Sequence, residues 1–287
     1  MTDPTAADLL ADDLGVALDR LPKVELHCHV EGTMRPATVV DLADRNGVAL
    51  PVDDPAQLYR YTSLDGFLEV FWLVQSVLGG RGDWARLAYE SVVDGAAHGL
   101  VYRESFFTPA RHLAAGQRLA DVVAGLDEGF TAAAEETGVE VALICDFDRS
   151  FGPGAARDLA AELVDLRRSG APGARRVVGV GYDSTETGQE PAAYAEAFAL
   201  AAAAGFHRTA HQGEGSGPDA IAACVDVLGA ERIDHGMSIL DSPEVTARFA
   251  AERIPLTVCP TSNVRIANAF PTLADHVFPA MRSAGLL

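Results

Sequence analysis

The stretch E-L-H-C-H-V-E-G, at residues 25–32, places two histidines one residue apart inside a short, otherwise apolar run. In an extended chain alternate side chains share a face, so His27 and His29 point one way while Leu26 and Cys28 point the other. Two neutral imidazoles on one face make a poor dry core and two good ligands for a divalent metal such as zinc. If the strand is one stave of a barrel, that shared face is the interior.

The rest of the chain has the rhythm such a stave needs. Short β-branched runs alternate with longer alanine- and leucine-rich stretches, the pattern of parallel βα units. Seven candidate strands fall at residues 24–30, 101–107, 141–147, 177–182, 206–211, 232–235 and 254–259. Residues 194–204 read as a helix ended by Gly205, and Pro218, Pro243 and Pro271 fall where three other helices should start. No linker rich in Gly, Ser or Pro and no short repeat divides the chain. The expectation is an α/β fold in one domain, residues 1–287: a (β/α)8 TIM-type barrel with a helical insertion after strand 1, roughly residues 36–98. Gly285 closes a helix and Leu286 and Leu287 begin another apolar run, so the sequence is expected to stop inside strand 8.

Composition removes several partners. At 287 residues and 48% hydrophobic content the chain can fill a sizeable core. Its 22 basic against 41 acidic residues give a formal charge of -19, which repels phosphate backbones and anionic lipids, so neither nucleic acid nor membrane is expected as a partner. Acids stand where a signal peptide carries lysine or arginine, and the apolar run at 197–206 is too short to span a bilayer, which predicts a cytoplasmic protein. Cys28, Cys145, Cys224 and Cys259 are scattered without a C-x-x-C pair and read as buried free thiols.

Two further clusters carry chemistry. H-Q-G-E, residues 211–214, ends the fifth strand, on the face where catalytic groups of such barrels gather. His211 reads as a third nitrogen ligand, Gly213 as a sharp turn, and Glu214 as a proton donor. R-I-D-H-G, residues 232–236, ends the sixth strand with Asp234 and His235 on opposite faces. The reading puts His235 inward as a base or electrostatic partner of the attacking water, with Asp234 buried against Arg232 or a neighbouring helix. His98, His112, His207 and His276 read as structural. Three histidines and a carboxylate around zinc activate water near neutral pH, which is hydrolysis without a covalent intermediate. Lys23 is the only lysine, so no carboxylated lysine on the fourth strand can bridge two metals, and one divalent ion per chain is expected.

Together, E-L-H-C-H-V-E-G-T, A-H-Q-G-E, R-I-D-H-G and C-P-T-S-N resemble the adenosine/adenine deaminase family of metal-dependent barrel aminohydrolases, from about residue 23 to the end. The resemblance implies that His27, His29 and His211 bind zinc, that Glu214 protonates N1 of the purine, and that His235 handles the proton of the attacking water. The segment G-V-G-Y-D-S-T-E-T-G, residues 179–188, is similar to the adenine-type D-S-[ST]-E signature; the resemblance implies Asp183 and Ser184 near the base, Gly213 among the substrate-binding residues, and Glu31 near the side where a ribose or the imidazole nitrogens sit. The implied reaction converts adenine to hypoxanthine and ammonia, with adenosine or another N9-substituted adenine as the second choice. Gln212 replaces a small residue of the family, a change expected to narrow or re-polarise the pocket, and F-F-T-P-A-R-H-L departs from the adenine-type pattern. The family's fourth ligand, the first aspartate of an [ST]-D-D motif on strand 8, is expected beyond Leu287. A metal-free relative used for binding, and a barrel hydrolase acting on a pterin, a pyrimidine or a phosphotriester, are the competing readings; metal content separates the first from the deaminase.

Overall fold

The computed structural model describes residues 10–11, 16–17, 21–52, 54–61, 64–266 and 269–287. Seven parallel strands pair in chain order: β1 (Lys23–His29), β2 (Leu100–Phe107), β3 (Glu140–Asp148), β4 (Val177–Asp183), β5 (His207–Gln212), β6 (Arg232–His235) and β7 (Leu256–Thr257). Helices α1 (Pro36–Asn46), α2 (Leu64–Ser76) and α3 (Arg81–Ala96) occupy the interval between β1 and β2, where the insertion is expected. Then α4 (Ala110–Ala114) and α5 (Leu119–Thr137) follow β2, α6 (Gly152–Ser169) follows β3, α7 (Ala195–Ala203) follows β4, α8 (Pro218–Leu228) follows β5 and α9 (Pro243–Glu252) follows β6. After β7 come α10 (Pro260–Arg265) and α11 (Phe278–Ser283). The result is a nearly closed TIM-type barrel.

The outward faces of the strands supply the apolar layer under the helices. Leu143, Cys145 and Phe147 of β3, Val180 and Tyr182 of β4, Ala210 of β5 and Ile233 of β6 are all buried, and alternate with inward polar residues. Register then stacks the inward set: Asp146 lies beside Gly181, Asp148 beside Asp183, His211 beside Asp234, and Asp234 beside Thr257. The functional side chains thus share a barrel interior, as a parallel sheet with covered faces requires.

The structure trims some expectations. β7 has two residues, against six expected over 254–259, because Pro255 and Pro260 bracket it and cannot donate to a ladder. Pro218 and Pro243 open α8 and α9, but Pro271 sits in a bend before a short 3-10 turn at Leu273–Asp275 and opens no helix. Beyond β7 the Leu256 N–H donates to the Leu287 carbonyl at 2.9 Å, where strand 8 was expected to begin; among the described residues no ladder joins β7 to β1. All four cysteines are free thiols, Cys145 and Cys224 fully buried and the other two half-buried. No helix among the described residues is long and apolar enough to cross a membrane.

α3 and α5 approach too closely for side chains at two points. A Cβ at Gly125 would stand 2.4 Å from the Arg81 carbonyl oxygen, and one at Gly129 would stand 2.1 Å from that of Ala85. Forcing a methyl into such a contact costs about 1–3 kcal/mol, and in a chain of this size each kcal/mol lowers Tm by roughly 2–4 °C. Gly129→Ala is therefore expected to lower Tm by several degrees. Gly154→Ala, at a position with nothing within 4 Å, is expected to leave Tm unchanged or raise it, as helix propensity favours alanine. Calorimetry of the two variants, with no difference between them, would contradict this packing.

Candidate active site

The ends of β1, β5 and β6 bring four imidazoles together. His29 Nε2 lies 3.0 Å and His27 Nε2 lies 3.1 Å from His211 Nε2. His235 joins them, its ring centroid 4.7 Å from that of His27. Phe106 packs against the group, stacked on His29 and edge-on to His27 and His211, at centroid separations of 5.1, 5.1 and 5.0 Å. Its apolar ring excludes water from one side of the cluster.

Hydrogen bonds behind the rings set which nitrogen carries the proton. The Thr257 hydroxyl donates to Asp234 Oδ1 at 2.5 Å, so it can only accept from His27 Nδ1, 3.1 Å away. His211 Nδ1 faces the Tyr182 carbonyl at 3.1 Å and must donate to it. In both rings the Nε2 lone pair is left directed at the centre. Burial, with the neighbouring imidazoles, lowers the pKa of His27 and His29 to about 3 and that of His211 well below its usual range. All three are neutral donors of lone pairs at physiological pH.

His235 is fixed by a longer chain. The Phe278 N–H donates to His276 Nδ1 (2.9 Å), so His276 Nε2 carries a proton and donates to Asn263 Oδ1 (3.1 Å). That orients the amide, and Asn263 Nδ2 donates to His235 Nδ1 at 2.9 Å. The neutral His235 ring then keeps its proton on Nε2, which faces Glu214 Oε2 at 3.5 Å. His276, read from sequence as merely structural, is a link in this relay.

Strict alternation fails at the end of β6. His235 has φ of 71°, in the left-handed region, and this turn swings its ring inward. Asp234 also faces the centre: it accepts from Thr209 Oγ1 (2.5 Å) and Thr257 Oγ1, sits 3.3 Å from Arg232 Nε, and lies within 4 Å of Nδ1 of both His27 and His211. The expectation that only one of the pair points inward is corrected; the expected Arg232 partner is found.

Glu214 stands on a clamped turn. Burial, reinforced by the nearby Glu186 carboxylate, pushes its pKa up to about 7. Glu186 accepts from the Gly213 N–H (3.1 Å), the Glu214 N–H (2.9 Å), Gln212 Nε2 (3.0 Å) and the Ser216 hydroxyl. Gly213 has φ of 91°, and a Cβ there would meet Ile221 Cδ1 at 2.7 Å. Its N–H is spent on Glu186, so it offers the site a turn and a bare Cα. Gln212 does not touch the pocket: it faces outward, taking hydrogen bonds from Tyr182 (2.5 Å) and Arg149 (3.3 Å).

Thr108 gathers the remaining expected residues. Its N–H donates to Glu31 Oε1 and its hydroxyl to Asp183 Oδ2, both at 2.7 Å. Burial pushes both carboxyls up to about 7, and Glu31 Oε2 has no protein partner. Asp183 Oδ2 is 3.9 Å from His29 Nδ1. Ser184 has φ of 74° and presents its carbonyl to Arg149, a buried guanidinium that also binds the Asp183 and His211 carbonyls at 2.8 and 3.0 Å. Thr108, Arg149, Asn263 and Asp146 escaped the sequence reading. For Asp146 a signal existed, since C-D-F-D-R-S sets Asp146 and Asp148 on one face as His27 and His29 are set.

The donor set fits a divalent metal. Two groups each bring one ligand atom per residue within 4.8 Å of the others: His27, His211 and His235, and His29, Asp146 and His211. His211 belongs to both. Buried His29 Nδ1 and both Asp146 carboxylate oxygens have no hydrogen-bond partner, and neutral imidazoles with buried carboxylate suit zinc and its neighbours.

Removing the charge of Glu186 while keeping an acceptor, as Glu186→Gln does, relieves repulsion on ionised Glu214. Carboxyl ¹³C NMR should show Glu214 titrating near 7 in the wild type and lower in the variant; an unchanged midpoint contradicts the electrostatic assignment.

The family model for adenosine deaminase matches residues 22–286. The chain is 42% identical over 275 residues to the adenine deaminase of Streptomyces coelicolor, covering 94% of this chain and 78% of that protein. Among solved structures, an adenine deaminase from Arthrobacter aurescens superposes with a TM-score of 0.85 at 36% identity, over 92% of this chain and 80% of that one. An amidohydrolase from Burkhoderia ambifaria with bound Zn gives a TM-score of 0.84 at 33% identity, over 94% and 74%. On the match of sequence, barrel and histidine cluster alike, the chain belongs to the adenosine deaminase family.

Proposed function

We propose that this protein hydrolyses adenine to hypoxanthine and ammonia in the cytoplasm, with one zinc ion per chain held by His27, His29 and His211. The observation that carries the reading is the convergence of three neutral imidazole Nε2 groups beside a carboxyl that stays protonated near neutrality, Glu214. A divalent ion there would supply a Lewis acid and an activated water.

The chain's own groups do the rest. Glu214 hydrogen-bonds N1 of the purine and gives it a proton, which makes C6 electrophilic. The C6–oxygen bond forms as water adds, and the C6–nitrogen bond breaks as ammonia departs with one of that water's protons, while the other restores the proton that Glu214 gave to N1. His235, holding its proton on Nε2, donates a hydrogen bond to the oxygen arriving at C6, so of its two expected roles the electrostatic one fits the relay through Asn263. Asp183, fixed by Thr108, lies on the His29 side of the pocket. Glu31, with a free carboxyl oxygen, suits a ring nitrogen on the imidazole side. Buried walls such as Phe106 keep bulk water from the reacting carbon.

Adenine is preferred to adenosine because the D-S-T-E segment and the named relatives are adenine-type. Initial rates on the two substrates test this: adenine should be faster, and a preference for adenosine overturns the choice. Glu214→Gln should lower the rate by at least ~100-fold, the usual contribution of a general acid, while metal content stays at the wild-type level. Loss of metal together with rate would make Glu214 a ligand instead. Because the acid must be protonated, the wild-type rate should fall as pH rises through about 7, and a rate that climbs steadily across that range contradicts the assignment.

A further inference from the structure

Asp146 is fully buried in β3, and neither of its carboxylate oxygens has a hydrogen-bond partner. The fold nevertheless keeps a niche for it. Its register neighbour on β4 is Gly181, where a Cβ would stand 2.2 Å from Asp146 Oδ1. Any other residue at 181 would expel the carboxylate, so this glycine serves the side chain opposite it.

Asp234, in the same interior, shows what a structural aspartate looks like here. It takes hydrogen bonds from two threonine hydroxyls and sits 3.3 Å from the Arg232 guanidinium. Asp146 has no equivalent. Arg149, a buried cation whose charge acts on Asp146, commits its donors to the carbonyls of Asp183, Ser184 and His211 and to Gln212. Arg232 donates to Glu104 and ion-pairs with Asp234, and though its Nε and Nη2 lack a hydrogen-bond partner they do not reach Asp146. Asp146 lies beside the histidine cluster: Oδ2 is 3.7 Å from His211 Nδ1, the nitrogen already turned to the Tyr182 carbonyl, and His29, Asp146 and His211 can each offer one atom within 4.8 Å of the other two. Burial, with the Asp183 and Asp234 carboxylates nearby, pushes the Asp146 carboxyl well above its usual range and so toward the neutral form; a metal among these imidazoles would supply the cation that favours the ionised one.

We propose that Asp146 is a further ligand of the metal, adding a carboxylate from β3 to the imidazoles that β1 and β5 supply. This rests on the metal-binding reading above and deepens it by naming a carboxylate that comes from the middle of the chain. A ligand set of this kind accepts zinc, iron, manganese or cobalt.

The test is a titration of metal-stripped protein with Co²⁺, read by visible absorption and by chelator competition, for the wild type, Asp146→Asn and His211→Ala. The expected result is near-complete loss of binding in His211→Ala, and in Asp146→Asn at least ~10-fold weaker binding with a changed cobalt band, because one oxygen ligand is lost. If Asp146→Asn keeps the wild-type band, whether or not its affinity drops, Asp146 is only a neighbour of the site and the inference is overturned while the metal site stands. If His211→Ala also binds as the wild type does, the metal reading itself has failed. Should Asp146→Asn not fold, anomalous diffraction from zinc-loaded wild-type crystals decides: an Asp146 oxygen at about 2.0–2.2 Å from the ion supports the proposal, and one beyond bonding distance overturns it.

Discussion

Everything in this site depends on holding several imidazoles neutral, close together and lone-pair inward inside a barrel. Left to water they would repel one another when protonated and prefer solvent when not. Burial removes the first option, and hydrogen bonds from behind remove the freedom to rotate. Thr257 locks His27, the Tyr182 carbonyl locks His211, and the Asn263–His276 relay locks His235. Each lock acts on the nitrogen away from the centre, so the proton sits there for His27 and His211 but on the inner nitrogen for His235. Two rings accept, and one donates.

The same burial serves the acid chemistry. Glu214, Glu31 and Asp183 are carboxyls forced into low-dielectric surroundings, with Glu186 near Glu214 and Asp148 near Asp183, which raises their pKa values into the range where each can hold a proton near neutrality. The clamp of Glu186 on the turn after β5 does two things at once. It fixes where Glu214 points and, as a like charge, makes that residue readier to keep its proton. Left-handed backbone at Ser184, Gly213, His235 and Gly236 lets the chain end its strands abruptly, so that side chains from β4, β5 and β6 meet at one rim.

Much of this was legible in the sequence. Alternation in a strand put His27 and His29 on one face, and the order of β-branched runs gave seven strands in nearly the right places, because burial and the two-residue period act locally. β7 came out short because prolines at 255 and 260 remove ladder donors, a signal that was present and given too little weight. Asp234 was misplaced because alternation does not survive a residue with positive φ. Gln212 was expected to face the pocket; it points the other way because His211, its neighbour, points in. Arg149, Asn263 and His276 were out of reach for a different reason. Their roles come from partners 28 or more residues away or from a chain of hydrogen bonds, and no local pattern marks them.

The central claim is that these neutral rings assemble a metal-assisted hydrolase for the 6-amino group of adenine. Its most direct measurement is turnover of adenine in H₂¹⁸O, followed by mass spectrometry, with and without a chelator and metal add-back. The account predicts hypoxanthine carrying one ¹⁸O at the 6-oxo position, ammonia in equal amount, loss of both on chelation and recovery with zinc. Absence of product from metal-replete protein, or unlabelled hypoxanthine, would contradict it.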